Sequence, residues 1–357
     1  MKRIQKSFSI FLIAILLFGL CSCQGAPISK NEEQKDISYG EDFLLDTYCY
    51  IKIFEPGKEE LISSAFELAK SFEGELSRTI ESSAVDRLNK APKVTGLNCD
   101  DSYICNLGVV LETALEFSKA SGGVFNPCIG AVSKLWDFSG DGKLPSDEKI
   151  KEALNYVGED FIRINDDGTI VKELDNVEID LGAIAKGYIA KQVANHLRDN
   201  GVHCAILSFG GNIVMIGAKE DGSKWNIGVE APDPKAKGTD FNNRKVAENI
   251  YIDPADYDEE AVSFGMTPSA SVVTSGTYER YIEDGGKLYH HILDPRTGYP
   301  VDTDLVSCTI VGADSMYCDA LSTICILKGK VEAQKFMEQY PTYDYLFITE
   351  DGEIIKS

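Results

Sequence analysis

The period of the apolar pattern changes several times along this chain. "FLLDTYCYIKIF" (43–54) is dense in β-branched and aromatic residues and reads as a strand. Over Glu59–Glu75, Leu61, Ala65, Leu68 and Phe72 recur at helical spacing, which predicts an amphipathic helix. A second helix is expected over Ser102–Ser121, stopped by Gly122-Gly123. "VFNPCIGAVSKLWDF" (124–138) combines a turn with an aromatic cluster, and reads as a loop available for function. In Ile184–Asn200, Ala185, Ile189, Val193 and Leu197 form an i, i+4 stripe that Gly201 closes as a C-cap.

The second half reads mainly as strands. "VHCAILSF" (202–209) is a buried strand, turned by Gly210-Gly211-Asn212 into "IVMIG", and "WNIGVE" (225–230) is another. Residues 232–262 are mostly polar, with acids and prolines near the end, and read for the most part as a surface excursion. "SVVTSGTYERYI" (271–282), a turn at Glu283–Gly286 and "KLYHHIL" (287–293) predict strand, turn, strand. A helix pair near 314–328 and 330–339 precedes a terminal hairpin in "YDYLFITEDGEIIK". Strand pairs and helices in this order predict an α+β fold rather than a chain of alternating parallel units.

The N-terminus stands apart. Lys2, Arg3 and Lys6 precede an apolar run from Phe8 to Leu20, too short for an ordinary membrane span and laid out like a secretory signal. The following Leu-Cys-Ser-Cys resembles the lipobox of bacterial lipoproteins, with Cys23 as the lipidated first mature residue. The expected organisation is a signal over 1–22, a flexible tether over 23–40 and, over 41–357, one large domain or two intimate ones. Residues 24–37 would reach roughly 20 Å as a random coil.

Charge narrows the partners. The net charge is −22, and losing residues 1–22 removes three positive charges and no acids, leaving −25. Such a surface repels nucleic acid, and a phosphorylated ligand must be met by local cations, a metal ion or helix amides. Eight cysteines beyond Cys23 (49, 99, 105, 128, 204, 308, 318 and 325) lack any zinc spacing. Several lie in apolar runs, where a free buried thiol is the commoner state.

No P-loop, GxGxxG, HExxH or GxSxG motif is present, and four histidines without ligand spacing exclude a usual zinc site. Three weaker signals remain. In "DLGAIAKGYIAK" (180–191), Asp180 stands where it could cap a helix starting near Ala183. Gly182 admits a ligand to the backbone, and Lys186 adds a charge beside first-turn amides. An ordinary strand-to-helix turn explains the same residues. In "DALST" (319–323), Asp319 and Thr323 share a helix face, an oxygen donor pair suited to Mg²⁺, or else a plain helix with a solvated acid. In "LYHHILDPRTGYP" (288–300), alternation puts His290 with Leu288 and Ile292, and His291 with Tyr289 and Leu293. A rigid turn follows, with Asp294 and Arg296 available. Either histidine fits a general base or a hydrogen-bonded structural residue.

Taken together the blocks carry a resemblance. "DLGAIAKGYIAK", "LSFGGNI", "WNIGVEAP", "VVTSGTYERY", "HILDPRTGYP" and "DALST" occur in the order found in the ApbE-type FAD:protein FMN transferases. "LDTY" (45–48), "ELSRTIESSAVDRLN" (75–89) and "SGGVFNPCIGAVSKLW" (121–136) look like weaker versions of that family's N-terminal blocks. The resemblance spans about residues 43–357. It implies a single T-fold-like α+β domain of mixed and antiparallel sheets packed with helices. It also implies an exported, lipid-anchored enzyme on the extracytoplasmic face of a bacterial membrane.

The implied reaction uses FAD and Mg²⁺, moves FMN to a Thr or Ser hydroxyl of an acceptor flavoprotein subunit of redox-pump or flavin-reductase type, and releases AMP. Mapped by motif, the metal ligands are Asp319, Thr323 and the Ala183 carbonyl. The flavin nucleotide contacts Leu45, Val124, Phe125, Asn126, Asp180, Lys186 and Ile292, and His291 is the candidate base. Leu45 replaces a common methionine, Asn126 a common aspartate, and Ser322 stands where some members have a further metal-binding aspartate. Metal-dependent hydrolysis of FAD and non-catalytic flavin binding remain alternatives.

Overall fold

A computed structural model describes residues 37–93, 102–138, 142–233 and 245–357. The expected signal, the lipidation site Cys23 and most of the tether lie outside the described residues. The first strand, β1 (Ser38–Leu44), nevertheless begins inside the stretch expected to be tether. No helix among the described residues is long and apolar enough to cross a membrane.

In chain order, β1 leads into β2 (Thr47–Ile53), α1 (Glu59–Leu76), α2 (Ala84–Lys90) and α3 (Ser102–Ser121). A 3-10 turn at Pro127–Ile129 precedes α4 (Gly130–Ser133) and α5 (Asp147–Ala153), then the small ladder β3 (Ile162–Ile164) and β4 (Ile170–Lys172). Next come α6 (Ala185–Asp199), β5 (Ala205–Phe209), β6 (Asn212–Ile216), β7 (Trp225–Glu230), β8 (Val246–Ile252) and α7 (Glu259–Ser263). The chain closes with β9 (Ser269–Gly276), β10 (Tyr281–Asp284), β11 (Lys287–His290), β12 (Leu305–Gly312), α8 (Ser315–Met337), β13 (Asp344–Thr349) and β14 (Ile354–Lys356).

Eight strands form one sheet in the order β1-β2-β5-β6-β9-β12-β13-β14. Each neighbouring pair is antiparallel. On one face Cys49, Ile51, Leu207, Val214, Val273, Ile310 and Phe347 pack with the apolar sides of α1, α6 and α8. Each such side chain contributes about 1.5–3 kcal/mol by leaving water. On the other face Met215, Val272 and Val311 are covered by Trp225, Ile227 and Ile252 of the β7–β8 hairpin. The α+β expectation is met, with the main sheet wholly antiparallel.

Four local expectations need correction. The run 43–54 is a hairpin, because Leu45 and Asp46 both take φ +56 and turn the chain. Such a two-residue turn usually carries Asn-Gly, so an apolar Leu-Asp pair hides it. The run 271–282 divides between two sheets. At Gly276 a Cβ would lie 2.4 Å from the Tyr278 ring, and the chain leaves the sheet there. The excursion 232–262 contains β8, a 3-10 turn at Pro254–Asp256 and α7. The helix expected to start near Ala183 starts at Ala185. The paired final helices fit α8, which breaks at Gly329 with φ +71.

Two devices position the functional loops. Where α6 crosses α8, Gly187 lies so close that a Cβ would stand 2.2 Å from the Ser315 carbonyl oxygen. Beneath residues 177–182, the buried ammonium of Lys172 donates to the Asn89, Asp175 and Val177 carbonyls at 3.0, 3.2 and 3.0 Å. The Asn89 amide then clasps the Ile179 backbone, donating at 3.0 Å and accepting at 2.7 Å. A buried cation is tolerable only when its donors are satisfied, and three carbonyls satisfy this one.

Candidate active site

A cavity of about 1580 Å³ opens between the β1–β2 hairpin, the loop 124–127, the start of α6, β7, residues 274–280 and the segment 291–293. Leu45, Val124, Phe125, Asn126, Asp180, Ala183, Lys186, His291, Ile292, Asp319 and Thr323 all line it. Positions up to 278 residues apart in sequence are thus gathered into one site, and His290 is not among them.

Its inner end is built from oxygen. Asp319, 3% exposed, accepts a 2.8 Å hydrogen bond at Oδ2 from the Gly187 amide, while Oδ1 lies 3.9 Å from Lys186 Nζ. In a regular helix that amide would bond the Ala183 carbonyl four residues earlier. Here Asp319 takes it, and no described group donates to the Ala183 oxygen. Thr323 Oγ lies 3.3 Å from Ser275 Oγ. A carboxylate, a hydroxyl and an unpaired carbonyl on one wall are the donor chemistry of Mg²⁺, which binds through one or two carboxylates with substrate phosphates completing its shell. No group of three or more His, Cys, Asp or Glu suited to a metal occurs among the described residues. Ser322 adds nothing to it, because its hydroxyl bonds back to the Asp319 carbonyl at 2.9 Å and meets Ser275 Oγ at 2.7 Å.

The Asp180 turn differs from the expected helix cap. Asp180 Oδ1 accepts from the Gly182 amide at 2.9 Å, Oδ2 accepts from Ser133 at 2.6 Å, and Arg78 Nε stands 3.0 Å from Oδ2. Lys186 donates to the Gly182 carbonyl at 3.1 Å. The carboxylate that meets an amide in the first turn of α6 is therefore Asp319 rather than Asp180. Asn126 spends its side-chain oxygen on the Cys128 amide at 2.9 Å, and Phe125 packs edge-on to Phe117 at 6.3 Å.

The opposite wall carries the titratable groups. β11 ends at His290, so the expected alternation stops there, and His291, Ile292 and Leu293 all reach the cavity. His291 Nδ1 lies 3.3 Å from the Arg280 carbonyl oxygen, and its ring meets Phe138 edge-on at 6.4 Å. Enclosure by protein, then the Arg280 and Lys186 charges, hold its pKa well below the usual histidine value, so it is neutral at pH 7. Its ring remains partly open to the cavity. His290 turns away to place Nε2 3.1 Å from the Val301 carbonyl. Asp294 and Arg296, expected to be available, are bonded to each other at 2.7–3.2 Å.

Sequence reasoning missed Arg78, Ser275, Glu279 and Arg280, all on the cavity wall. Glu279 makes no hydrogen bond with a described residue, and desolvation pushes its carboxyl up to about 7 against the opposing pull of Lys186 and Arg280. The one usable signal was the pair Glu-Arg following the chain-turning glycine in "TSGTYERY".

Comparison with known proteins decides the family. The model of the ApbE family matches residues 45–347. The chain belongs to the ApbE family. An FAD:protein FMN transferase of Treponema pallidum is 30% identical over 99% of this chain and 94% of its own length. One of Klebsiella pneumoniae is 31% identical over 89% of each. The crystal structure of the ApbE protein of Thermotoga maritima superposes with a TM-score of 0.75 at 29% identity, covering 90% of this chain and 97% of that one. This ApbE-family chain keeps the domain at nearly full length, and apart from Tyr39 and Phe43 its cavity lining falls within the matched region.

Proposed function

We propose that this protein is an Mg²⁺-dependent FAD:protein FMN transferase, anchored by lipid at Cys23 on the extracytoplasmic face of the membrane. It moves the FMN half of FAD to a Thr or Ser hydroxyl of an acceptor flavoprotein subunit, of redox-pump or flavin-reductase type, and releases AMP. Transfer of FMN from FAD to a protein is the activity named for its full-length relatives. The observation that supports the metal and base assignments is the joint placement of Asp319, Thr323 and the Ala183 carbonyl, to which no described group donates, in one cavity with Lys186 and His291.

Asp319, Thr323 and Ala183 would hold Mg²⁺, which supplies Lewis-acid polarisation of a phosphoryl group and neutralises charge on the departing AMP. Lys186 stands beside Asp319 and adds a second cation for the diphosphate. Leu45, Val124, Phe125 and Ile292 offer apolar surface to the flavin, and Asn126 borders it. A hydroxyl is a weak nucleophile at neutral pH and needs a base. His291 is neutral there and partly open to the cavity, so it can take the acceptor proton on a ring nitrogen.

The test is incubation of the protein with FAD, Mg²⁺ and an acceptor subunit, followed by flavin fluorescence on a denaturing gel. Covalent fluorescence with one AMP per transfer is expected. AMP and free FMN without labelled acceptor would make the protein an FAD hydrolase, and no turnover would make it a flavin binder.

A further inference from the structure

An anionic ligand entering a chain of net charge −22 needs cations fixed where its phosphates lie. Lys186 is one, and it is already shared between the Gly182 carbonyl and Asp319. Another is Arg78, two residues beyond the end of α1. Its Nε stands 3.0 Å from Asp180 Oδ2 as an ion pair, and its two terminal nitrogens make no hydrogen bond with a described residue. Both Asp180 oxygens are engaged, by Gly182, Ser133 and Arg78. The two cations thus bracket a single turn: Arg78 is tied to Asp180, Asp180 to the Gly182 amide, and the Gly182 carbonyl to Lys186. The Arg78–Asp180 pair is 29% and 21% exposed, a setting in which an ion pair adds little stability. Its geometric consequence is larger. A guanidinium held by Nε keeps its two terminal nitrogens, a planar fork matched to phosphate oxygens.

We propose that Arg78 is a specificity-determining residue for the diphosphate of the nucleotide, and that Asp180 is the positioning residue that aims it. This rests on the reading of the cavity as an FAD site. Asp180 then contacts the nucleotide through Arg78, and the two ends of the turn each present one cation to a ligand with two phosphates.

The experiment compares FAD with riboflavin, which has the same ring and no phosphate, by fluorescence titration of the full chain in Mg²⁺. Arg78→Met should weaken FAD binding at least about tenfold, the loss of one charge-assisted contact, and leave riboflavin within about twofold. Arg78→Gln, which keeps a polar donor without the charge or the terminal fork, should repeat the result if the methionine variant folds poorly. Asp180→Asn should weaken FAD less than Arg78→Met does and spare riboflavin. Equal losses for both ligands, or unchanged FAD binding, would overturn the role of Arg78. Failure of the unmodified chain to bind FAD would overturn the underlying reading instead.

Discussion

On the α6–α8 wall of the cavity, Asp319 is 3% exposed, fixed by the Gly187 amide, and backed by a helix crossing with no room for a methyl group. On the wall made by residues 278–293, Glu279 has no hydrogen bond to a described residue, and His291 has one weak partner beyond its own backbone. The first wall is rigid because Gly187 lets the two helices meet backbone to backbone and its amide fixes Asp319. The second faces the opening, and its groups are held by electrostatics more than by bonds. The proposed function draws on both: a fixed oxygen site for Mg²⁺ would need the first kind of wall, and proton transfer the second.

The sharpest way to break this contrast is at the crossing. Gly187→Ala puts a Cβ 2.2 Å from the Ser315 carbonyl oxygen, and backbone cannot rotate aside as a side-chain tip can. Denaturant unfolding should show a loss of about 3 kcal/mol or more, and transfer should vanish because the Gly187 amide moves off Asp319. Unchanged stability would mean the helices slide freely and the wall is not rigid.

Asp319→Asn leaves the packing and removes the charge. Transfer should fall by at least about a hundredfold, more than the usual cost of losing an outer-shell partner of a metal, with a melting temperature close to that of the unmodified protein. Recovery of full rate in excess Mg²⁺ would show only weakened affinity. Full activity at ordinary Mg²⁺ would remove Asp319 from the metal site.

On the facing wall, His291→Ala should lower the rate of transfer by about 10²–10⁴, the range for a general base, and His290→Ala by much less. His290 instead holds the Val301 carbonyl, so its loss should register in stability. Because the His291 pKa lies below the usual histidine value, its basic form survives as pH falls, and the acid limb of the rate profile should lie below about 6.5. A limb above that value would assign it to another group.

The same contrast explains what was legible in the sequence. The helix holding Asp319 and Thr323 was legible as an apolar run after Asp314, and the motif order carried the family, so that wall was readable. That Gly187 and Asp319 meet was not, because a crossing pairs residues 132 positions apart. The facing wall was read poorly. An even alternation through 293 and an unbroken strand through 282 both assumed regular strands, whereas the chain leaves them at His290 and Gly276. Asp294 and Arg296 looked available because adjacency in sequence does not reveal that they bind each other. Arg78 went unnoticed because a lone arginine after a helix has meaning only beside Asp180.

The smallest expected effect concerns Glu279. Its carboxyl titrates near 7 in the fold and near 4.5 when unfolded. Below about 4.5 it is protonated in both states and costs nothing. Between about 4.5 and 7 the unfolded chain releases the proton first, so the folded state loses stability as pH rises. Above 7 that penalty is complete. The carboxyl opens to the cavity, and solvent screening keeps the penalty modest. Glu279→Gln should therefore raise the melting temperature slightly at pH 8 and leave it unchanged at pH 4. An equal rise at both values would trace the gain to packing. A fall at pH 8 would mean the charged carboxylate is stabilised in the fold by Lys186 and Arg280, reversing the balance assigned to this wall.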